Sequence, residues 1–427
     1  MNALSGDTSL FAEVDEKYGV FTLKELYELH NQGHKIKVPA LLNNRGEKTW
    51  IDVENVVSFR KQNMKRITLS RSRLYVELSE DSTIPVFSPH LFSGTEKQIK
   101  LKFKLANELK VSQDPRYNNS LLLTTLISLK IPEGDQKEYD FGFTLGFVLA
   151  EASFIKRKRK NTKQSLATLN GYAKQKGMTL EEYLNHMTDI HQVQLTVGEN
   201  DFERKYVDIL QKHFKLSKPS KKKNANAYSL YSSDLSFIHF IKEYTEGHTS
   251  HDKCVKNEVY NRSWKFLEGI LDGYLAGDGH FRKNMDLFEV GITTNYKLRD
   301  DLIFLSKALG YDIHLHNGYF AKSPFPSYEK VYHCLYFSIS KRWHRLSAFG
   351  LVKEHIKSVE DVGEREAYNL VLKLLYSEND TRSVFNHLFF TAYGFLVSDA
   401  VKVLERGALS SSLPVLVSSK GLNKEVV

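Results

Sequence analysis

The chain has 427 residues, a formal net charge of +9 and a pI near 9.1, which is enough for two or three domains and favours a polyanionic partner. Two cysteines, Cys254 and Cys334, exclude a disulfide framework and point to an intracellular, reducing compartment, cytoplasm or nucleoid/nucleus. The apolar runs at 121–131 and 384–397 are broken by polar residues and too short for a membrane span, and the polar start excludes a signal peptide.

Near the N-terminus, 50–57, 66–69 and 74–78 carry alternating or β-branched residues and predict strands. Thr144-Leu-Gly-Phe-Val-Leu-Ala-Glu-Ala152 then sets Gly146 and Ala150 four apart and ends on Glu151. Small residues at that spacing share one helix face and admit a second backbone at close range. A basic run, Lys156, Arg157, Lys158, Arg159 and Lys160, with Lys163 beyond it, follows directly. Residues 166–186 read as an inserted helical excursion, with Thr179 as N-cap and Glu182 at the third position after it. His191-Gln-Val-Gln-Leu-Thr-Val197 reads as a strand and 202–214 as a helix. Lys221, Lys222 and Lys223 precede the strand-like Tyr228-Ser-Leu-Tyr231.

His248-Thr-Ser-His251-Asp-Lys-Cys254 has metal-like spacing, but a structural zinc site wants four ligands and only His333 and Cys334 stand elsewhere as partners. A polar linker between two halves is the better reading. Leu271-Asp-Gly-Tyr-Leu-Ala-Gly-Asp-Gly279 repeats the first motif, with Gly273 and Gly277 four apart and Asp278 standing where the first copy has Glu151. Phe288-Glu-Val-Gly-Ile-Thr-Thr294 and 298–309 repeat the strand-then-helix pattern, so the two halves read as one unit duplicated. Tyr336-Phe-Ser-Ile-Ser340 precedes Lys341. Residues 383–397 read as strands about a turn at Tyr393-Gly394, and 400–427 as a loosely held tail.

Two such helices, packed through their small residues, would bring Glu151 and Asp278 together at the ends of one seam. Adjacent carboxylates do not both ionise without compensation, and a divalent cation is their natural partner. Such an ion, held by carboxylates and phosphate oxygens, suits phosphodiester cleavage. The basic loops would meet DNA phosphates and add affinity and salt dependence. Base readout would come from strand residues, with Gln192, Gln194, Thr196, Glu289, Thr293, Thr294, Tyr228 and Tyr231 as candidates. Alternation turns half of these away from the DNA.

The motif LDGYLAGDG is close to that of the LAGLIDADG homing endonucleases, and TLGFVLAEA is a looser copy. Over about 113–370 the chain resembles the two-motif, single-chain form of that family. The resemblance implies an α+β fold of two αββαββα-like halves, about 113–255 and 256–370, with pseudo-two-fold symmetry. It implies a monomer that makes a double-strand break in a long asymmetric DNA site with Mg²⁺ or Mn²⁺, while Ca²⁺ binds without supporting cleavage. Glu151 and Asp278 would be catalytic metal ligands, Gly146, Ala150, Gly273 and Gly277 the packing residues, and Lys341 a third catalytic participant.

Three further segments resemble inteins: Ala3-Leu-Ser-Gly-Asp-Thr8 the opening, 76–85 the Thr-x-x-His segment, and 386–399 the close. On that resemblance 1–112 and 371–399 would form one all-β Hint-like domain. Splicing needs a nucleophile at the first position, and Ala3 has none. Ser79 and Ser82 replace the Thr-x-x-His pair, Ser398 the penultimate histidine and Asp399 the cyclising asparagine; Ala400 again lacks a nucleophile. The expectation is a nuclease that has lost splicing, free-standing because only Asn2, besides Met1, precedes Ala3. The competing readings are a nuclease-inactive DNA-binding regulator or RNA-splicing cofactor, and an autoprocessing intein. Retention of both Glu151 and Asp278 favours the enzyme, and Ala3, Asp399 and Ala400 weigh against autoprocessing.

Overall fold

The computed structural model describes residues 2–43, 47–87, 101–109, 111, 119–124, 129–156, 166–175, 177, 179, 190–222, 226–282, 287–292, 295–316, 318–322, 331–340, 351–374, 387–400, 403–404 and 415–416. The fold is mixed, with a large antiparallel sheet, smaller sheets and several helices.

Residues from both ends of the chain build one twelve-stranded sheet. Its N-terminal strands are β1 (Leu4–Ser5), β2 (Ser9–Val14), β3 (Lys17–Thr22), β4 (Ile36–Leu41), β5 (Lys48–Leu69), β6 (Tyr75–Ser79), β7 (Thr83–Phe87), β8 (Leu101–Leu105) and β9 (Ser120–Thr124). Helix α1 (Leu23–Asn31) interrupts them, capped reciprocally by Thr22 and Glu25. The C-terminal strands are Leu351–Leu372, Leu388–Phe390 and Leu396–Ser398. The sheet therefore reaches past the expected bounds at 112 and 371. Leu121 and Leu123 are buried in β9, which pairs with the strand Leu351–Leu372.

The runs expected at 50–57 and 66–69 are parts of one 22-residue strand, β5. Its middle, 58–63, is polar apart from Phe59, so no sustained apolar alternation marks it. Pairing along its length with Leu351–Leu372, through four register shifts, keeps it extended.

The part between is built around two helices, α2 (Gln136–Glu151) and, much later, Trp264–Asp278. Asp135 caps the first, accepting from Glu138 N at 2.9 Å, and Ser263 the second, accepting from Phe266 N at 3.2 Å. Between them lie β10 (Ala152–Lys156), α3 (Leu166–Gln175), β11 (Ile190–Gly198), α4 (Glu199–Glu203), α5 (Tyr206–His213), β12 (Ser220–Lys221), β13 (Ala227–Ser232), α6 (Leu235–Tyr244), β14 (Thr245–Glu246) and β15 (Cys254–Val255). The helix expected over 202–214 is broken by Lys205, whose φ is +59°. Helix α7 (Trp264–Asp278) leads into β16 (Gly279–Arg282), β17 (Leu287–Ile292), α8 (Tyr296–Ala308), β18 (Asp312–Leu315), β19 (Tyr319–Lys322) and β20 (Val331–Ser340). The sheet orders are β10-β11-β13-β12 and β16-β17-β20-β18, each beginning with the strand that leaves a motif helix.

Helices α2 and α7 run parallel and touch backbone to backbone. A Cβ on Gly142 would lie 2.0 Å from Phe266 O, one on Gly146 2.0 Å from Ile270 O, and one on Gly273 2.0 Å from Phe143 O. Further along, a Cβ on Gly277 would sit 2.6 Å from Ala150 Cβ. The contact thus takes in all four expected small residues and adds Gly142 and Gly269, the latter 2.3 Å from Tyr139 O by the same measure. At the N-terminal end Arg262 bonds Glu138 at 2.6 Å, and Tyr139 Oη donates to Asp272 at 2.9 Å.

Gly→Ala in a helix interior ordinarily stabilises by about 1 kcal/mol. At Gly273 the sign should reverse, because the added methyl meets Phe143 O; overpacking of this kind costs about 1–3 kcal/mol or more. At Gly171 in α3 nothing lies within 4 Å of the added Cβ, so G171A should be neutral or stabilising. Urea unfolding of both variants beside the wild type checks the pair. An equal response at the two sites would show that the helices do not touch there.

Candidate active site

Parallel packing brings the C-terminal ends of α2 and α7 to one place. A Cβ on Gly277 would lie 3.3 Å from Glu151 Oε1, so the Glu151 carboxylate rests over the residue that precedes Asp278. Glu151 is half-buried, and its carboxyl is pushed up to about 7, first by burial and then by Asp278 and Asp201; Lys253 and Lys222 oppose the rise. Asp278 opens further to solvent, yet the protein packed about it raises its carboxyl to about 6, against the pull of Lys253 and a hydrogen bond from buried Tyr274. Among the described residues no cluster of three or more His, Cys, Asp and Glu could hold a metal. Two carboxylates that repel each other fit a hard divalent cation whose remaining ligands are waters and phosphate oxygens.

A third charged group stands beside the pair. Lys253 is 2 % exposed, and its Nζ donates to Leu149 O at 2.6 Å, Ala152 O at 2.9 Å and, more weakly, Val148 O at 3.4 Å. Burial lowers its ammonium to about 8, while Asp278 and Glu151 pull the other way. The segment that spacing made a weak zinc candidate is the turn that delivers this lysine. Asp252 Oδ1 accepts from His248 N at 3.0 Å, and from Thr249 N and Thr249 Oγ1 at 2.6 Å each.

Strand alternation divides the readout candidates. Val193, Leu195 and Val197 are buried in the core of the first half, so Gln192, Gln194 and Thr196 share the other face of β11. Tyr231 pairs with Gln194 and joins that face. Tyr228 pairs with Val197 and packs its ring edge-on against Phe202, 5.4 Å away, on the core side. Lys222 Nζ donates to Thr196 Oγ1 at 2.8 Å, which places this lysine on the same face as Gln192, Gln194 and Thr196, whereas Lys221, opposite Tyr228, is exposed. Lys156 ends β10. Glu289 stands in register with His280 and Ser338. Arg157, Lys158, Arg159, Lys160, Lys163, Lys223, Thr293, Thr294 and Lys341 lie outside the described residues.

The six positions read as degenerate for splicing meet in the large sheet, all buried. Ala3 N donates to Ser82 Oγ at 2.8 Å, Ser79 N to Ala3 O at 2.9 Å, and the two serine hydroxyls are 2.6 Å apart. Asn2 Nδ2 donates to Asp399 O at 2.9 Å, Asn369 Nδ2 to Asn2 O at 3.2 Å and to Ser398 O at 3.1 Å, and Ala400 N to Leu370 O at 2.7 Å. His387 Nδ1 contacts Asp399 Oδ2 at 3.0 Å. Asn2, Asn369 and His387 were not singled out in the sequence.

No family model matches the chain, and no curated protein does. Among solved structures, mesophilic variants of the homing endonuclease I-DmoI align with a TM-score of 0.30 and 13% identity, over 49% of this chain and 92% of that one. An intein from a hyperthermophile aligns with a TM-score of 0.24 and 22% identity, over 29% and 73%. The N-terminal LAGLIDADG domain of DUF199/WhiA aligns with a TM-score of 0.25 and 10% identity, over 48% and 78%.

The raised carboxyls make stability depend on pH. A carboxyl whose folded value lies above its unfolded one binds more protons when folded, so stability falls as pH rises, here between about 4 and about 7. Removing one charge by E151Q should therefore raise the melting temperature at pH 8 without divalent ions, and leave it nearly unchanged at pH 4. Calorimetry at the two values checks this; no gain at pH 8 would mean that the pair does not repel.

Proposed function

We propose that this chain is a metal-dependent, site-specific DNA endonuclease, carried with a β domain that descends from an intein and no longer splices. The observation behind the reading is the meeting of Glu151 and Asp278 at the common end of two helices in backbone contact. Solvating two separate carboxylates needs no such seam. Holding an ion of high charge density between a protein and a phosphate does.

In this reading Glu151 and Asp278 bind the ion, Mg²⁺ or Mn²⁺. When bound, it neutralises charge at the scissile phosphate and lowers the pKa of the attacking water. Tyr274 orients the Asp278 carboxylate by its hydrogen bond. Gln192, Gln194, Thr196 and Tyr231 present amide and hydroxyl groups from one strand face to base edges, and Lys222 offers a cation to the backbone beside them. Lys341, which follows β20 in the chain, is retained as a third catalytic candidate. The partner is a long duplex read by both halves of a monomer.

Selection of cleaved sites from a randomised duplex library in Mg²⁺ tests the activity. On the selected site E151Q and D278N should each lower double-strand cleavage by at least about a thousandfold, the scale of losing a metal's charge stabilisation. Binding measured in Ca²⁺ should stay within a few-fold, because affinity comes from other contacts. Cleavage at the wild-type rate by either variant would remove these residues from the site.

The splicing positions can be tested separately. Asp399 has no side-chain amide to cyclise, and Ala3 cannot form a thioester. The chain fused to host sequences at both ends should keep the unspliced mass. A ligated host product in the mass spectrum would overturn this part of the reading.

A further inference from the structure

The open face of the second-half sheet carries a pair of histidines. In β18 Ile313 and Leu315 are buried, so Asp312 and His314 take the other face, and His316 follows on it just past the strand. The rings of His314 and His316 lie 4.6 Å apart, and that of His316 stacks on Tyr336 at 4.4 Å with 9° between the planes. His316 Nε2 is hydrogen-bonded to Ser338 Oγ. His316 is thus fixed by β20 and forms a wall beside His314.

The turn between β5 and β6 holds His314 from the other side. Buried Glu354 anchors that turn, its Oε1 accepting from Arg71 N and Ser72 N, and Leu315 N donates to Ser72 O at 2.7 Å. Arg71 Nη2 donates to Asp312 Oδ2 at 2.9 Å. One ring N–H of His314 donates to the Arg71 main chain, and among the described residues the other nitrogen has no hydrogen bond. Burial holds this imidazole below its ordinary value, and the nearby Arg73 and Arg71 guanidiniums add to the effect; the main-chain bond and Asp312 oppose it. Glu289 stands one strand further in, in register with Ser338. At neutral pH the ring is therefore uncharged. With one nitrogen committed as a donor, the other is an acceptor.

An acceptor held among cations reads DNA differently from the commonest base readers. Arg and Lys donate to guanine O6 and N7, whereas an acceptor takes the major-groove amino group, N4 of cytosine or N6 of adenine. Protonation turns the acceptor into a donor, for which guanine O6 and N7 become the partners. In the sheet order β18 is the strand farthest from β16, which leaves the carboxylate end of α7. A base pair that meets His314 therefore lies away from the scissile phosphates. In the first half Gln192, Gln194 and Thr196 do not titrate.

We propose that His314 selects a base with an exocyclic amino group, cytosine or adenine, on one strand in the outer part of the second half's site, and that its protonation reverses this choice. This inference rests on the endonuclease reading and gives its target a preference that changes with pH. The change is local: base choice opposite Gln192, Gln194 and Thr196 stays constant.

The test uses the full chain and a library of duplexes randomised along the site. Bound duplexes are recovered at pH 8 and at pH 5 without divalent ions and sequenced. Protonation of Glu151 and Asp278 over this range changes affinity for every duplex alike and drops out of the base ratio at one position. At pH 8 the wild type should favour cytosine or adenine over guanine at one outer position by about fivefold, the scale of one hydrogen bond. At pH 5 guanine should equal or exceed them there. H314Q, which keeps a donor and an acceptor and does not titrate, should hold the pH 8 preference at both values. H314K, a donor at both values, should show the pH 5 preference throughout. Identical wild-type base ratios at the two pH values, or a shift with pH that survives in both variants, would each overturn the proposal. If the wild type selects no sequence at pH 8 and cuts no duplex in Mg²⁺, the endonuclease reading itself fails, an outcome distinct from a selected site whose base ratios ignore pH.

Discussion

The structure depends on the backbone contact between α2 and α7. Ordinary helix pairs are held apart by side chains, at roughly 8–10 Å between axes. Here Gly142, Gly146, Gly269 and Gly273 remove the spacers, and each would place a Cβ within about 2.3 Å of a facing carbonyl. Large side chains are pushed to the flanks. Phe143, Phe147 and Val148 face the core of the first half, while Leu145, Leu149, Ile270 and Tyr274 join the larger core shared with the β domain. One seam thereby fixes the relation of both halves.

The same contact creates an electrostatic problem. The helices are parallel, so their negative ends coincide, and each adds a carboxylate at that end. Helix C-termini ordinarily favour basic residues, yet neither of these has one in its last turn. Burial of Glu151 sharpens the conflict, because the low-dielectric surroundings strengthen repulsion as well as attraction. Local sequence preference and the global arrangement disagree here, as is expected where function rather than stability sets the residues.

The motif helices were legible because small residues every fourth position and a terminal acid form a local pattern that occurs twice. Gly142 and Gly269 extend the same period by one turn and could have been read as well. Lys253 could not. It sits in a polar turn among His248, His251 and Asp252, and no periodicity distinguishes a lysine that folds inward from one that points to solvent. The long strand β5 was hidden for a related reason: its middle section is mostly polar, with Phe59 alone packed on a small buried cluster, and it owes its form to a partner strand from the far end of the chain. Tyr228 and Tyr231 look alike in sequence, and only the register with Val197 and Gln194 separates the core side from the opposite face.

In the β domain the network around Ala3 and Asp399 holds together without a nucleophile. Ser79 and Ser82 close hydrogen bonds on the Ala3 backbone, and Asn2 and Asn369 tie the first residues to Ser398 and Asp399. These bonds join segments from opposite ends of the sequence, and buried polar backbone left unpaired there would cost about 1–3 kcal/mol per group. Structural demand alone therefore favours small polar residues at these positions. The same sheet also braces the helix pair, since β5 and the strand Leu351–Leu372 pair along their length and the latter continues onto β9, which precedes α2 in the chain. The large sheet is thus part of what holds the two carboxylates in place, because the chain that enters α2 and the chain that follows β20 are strands of that one sheet.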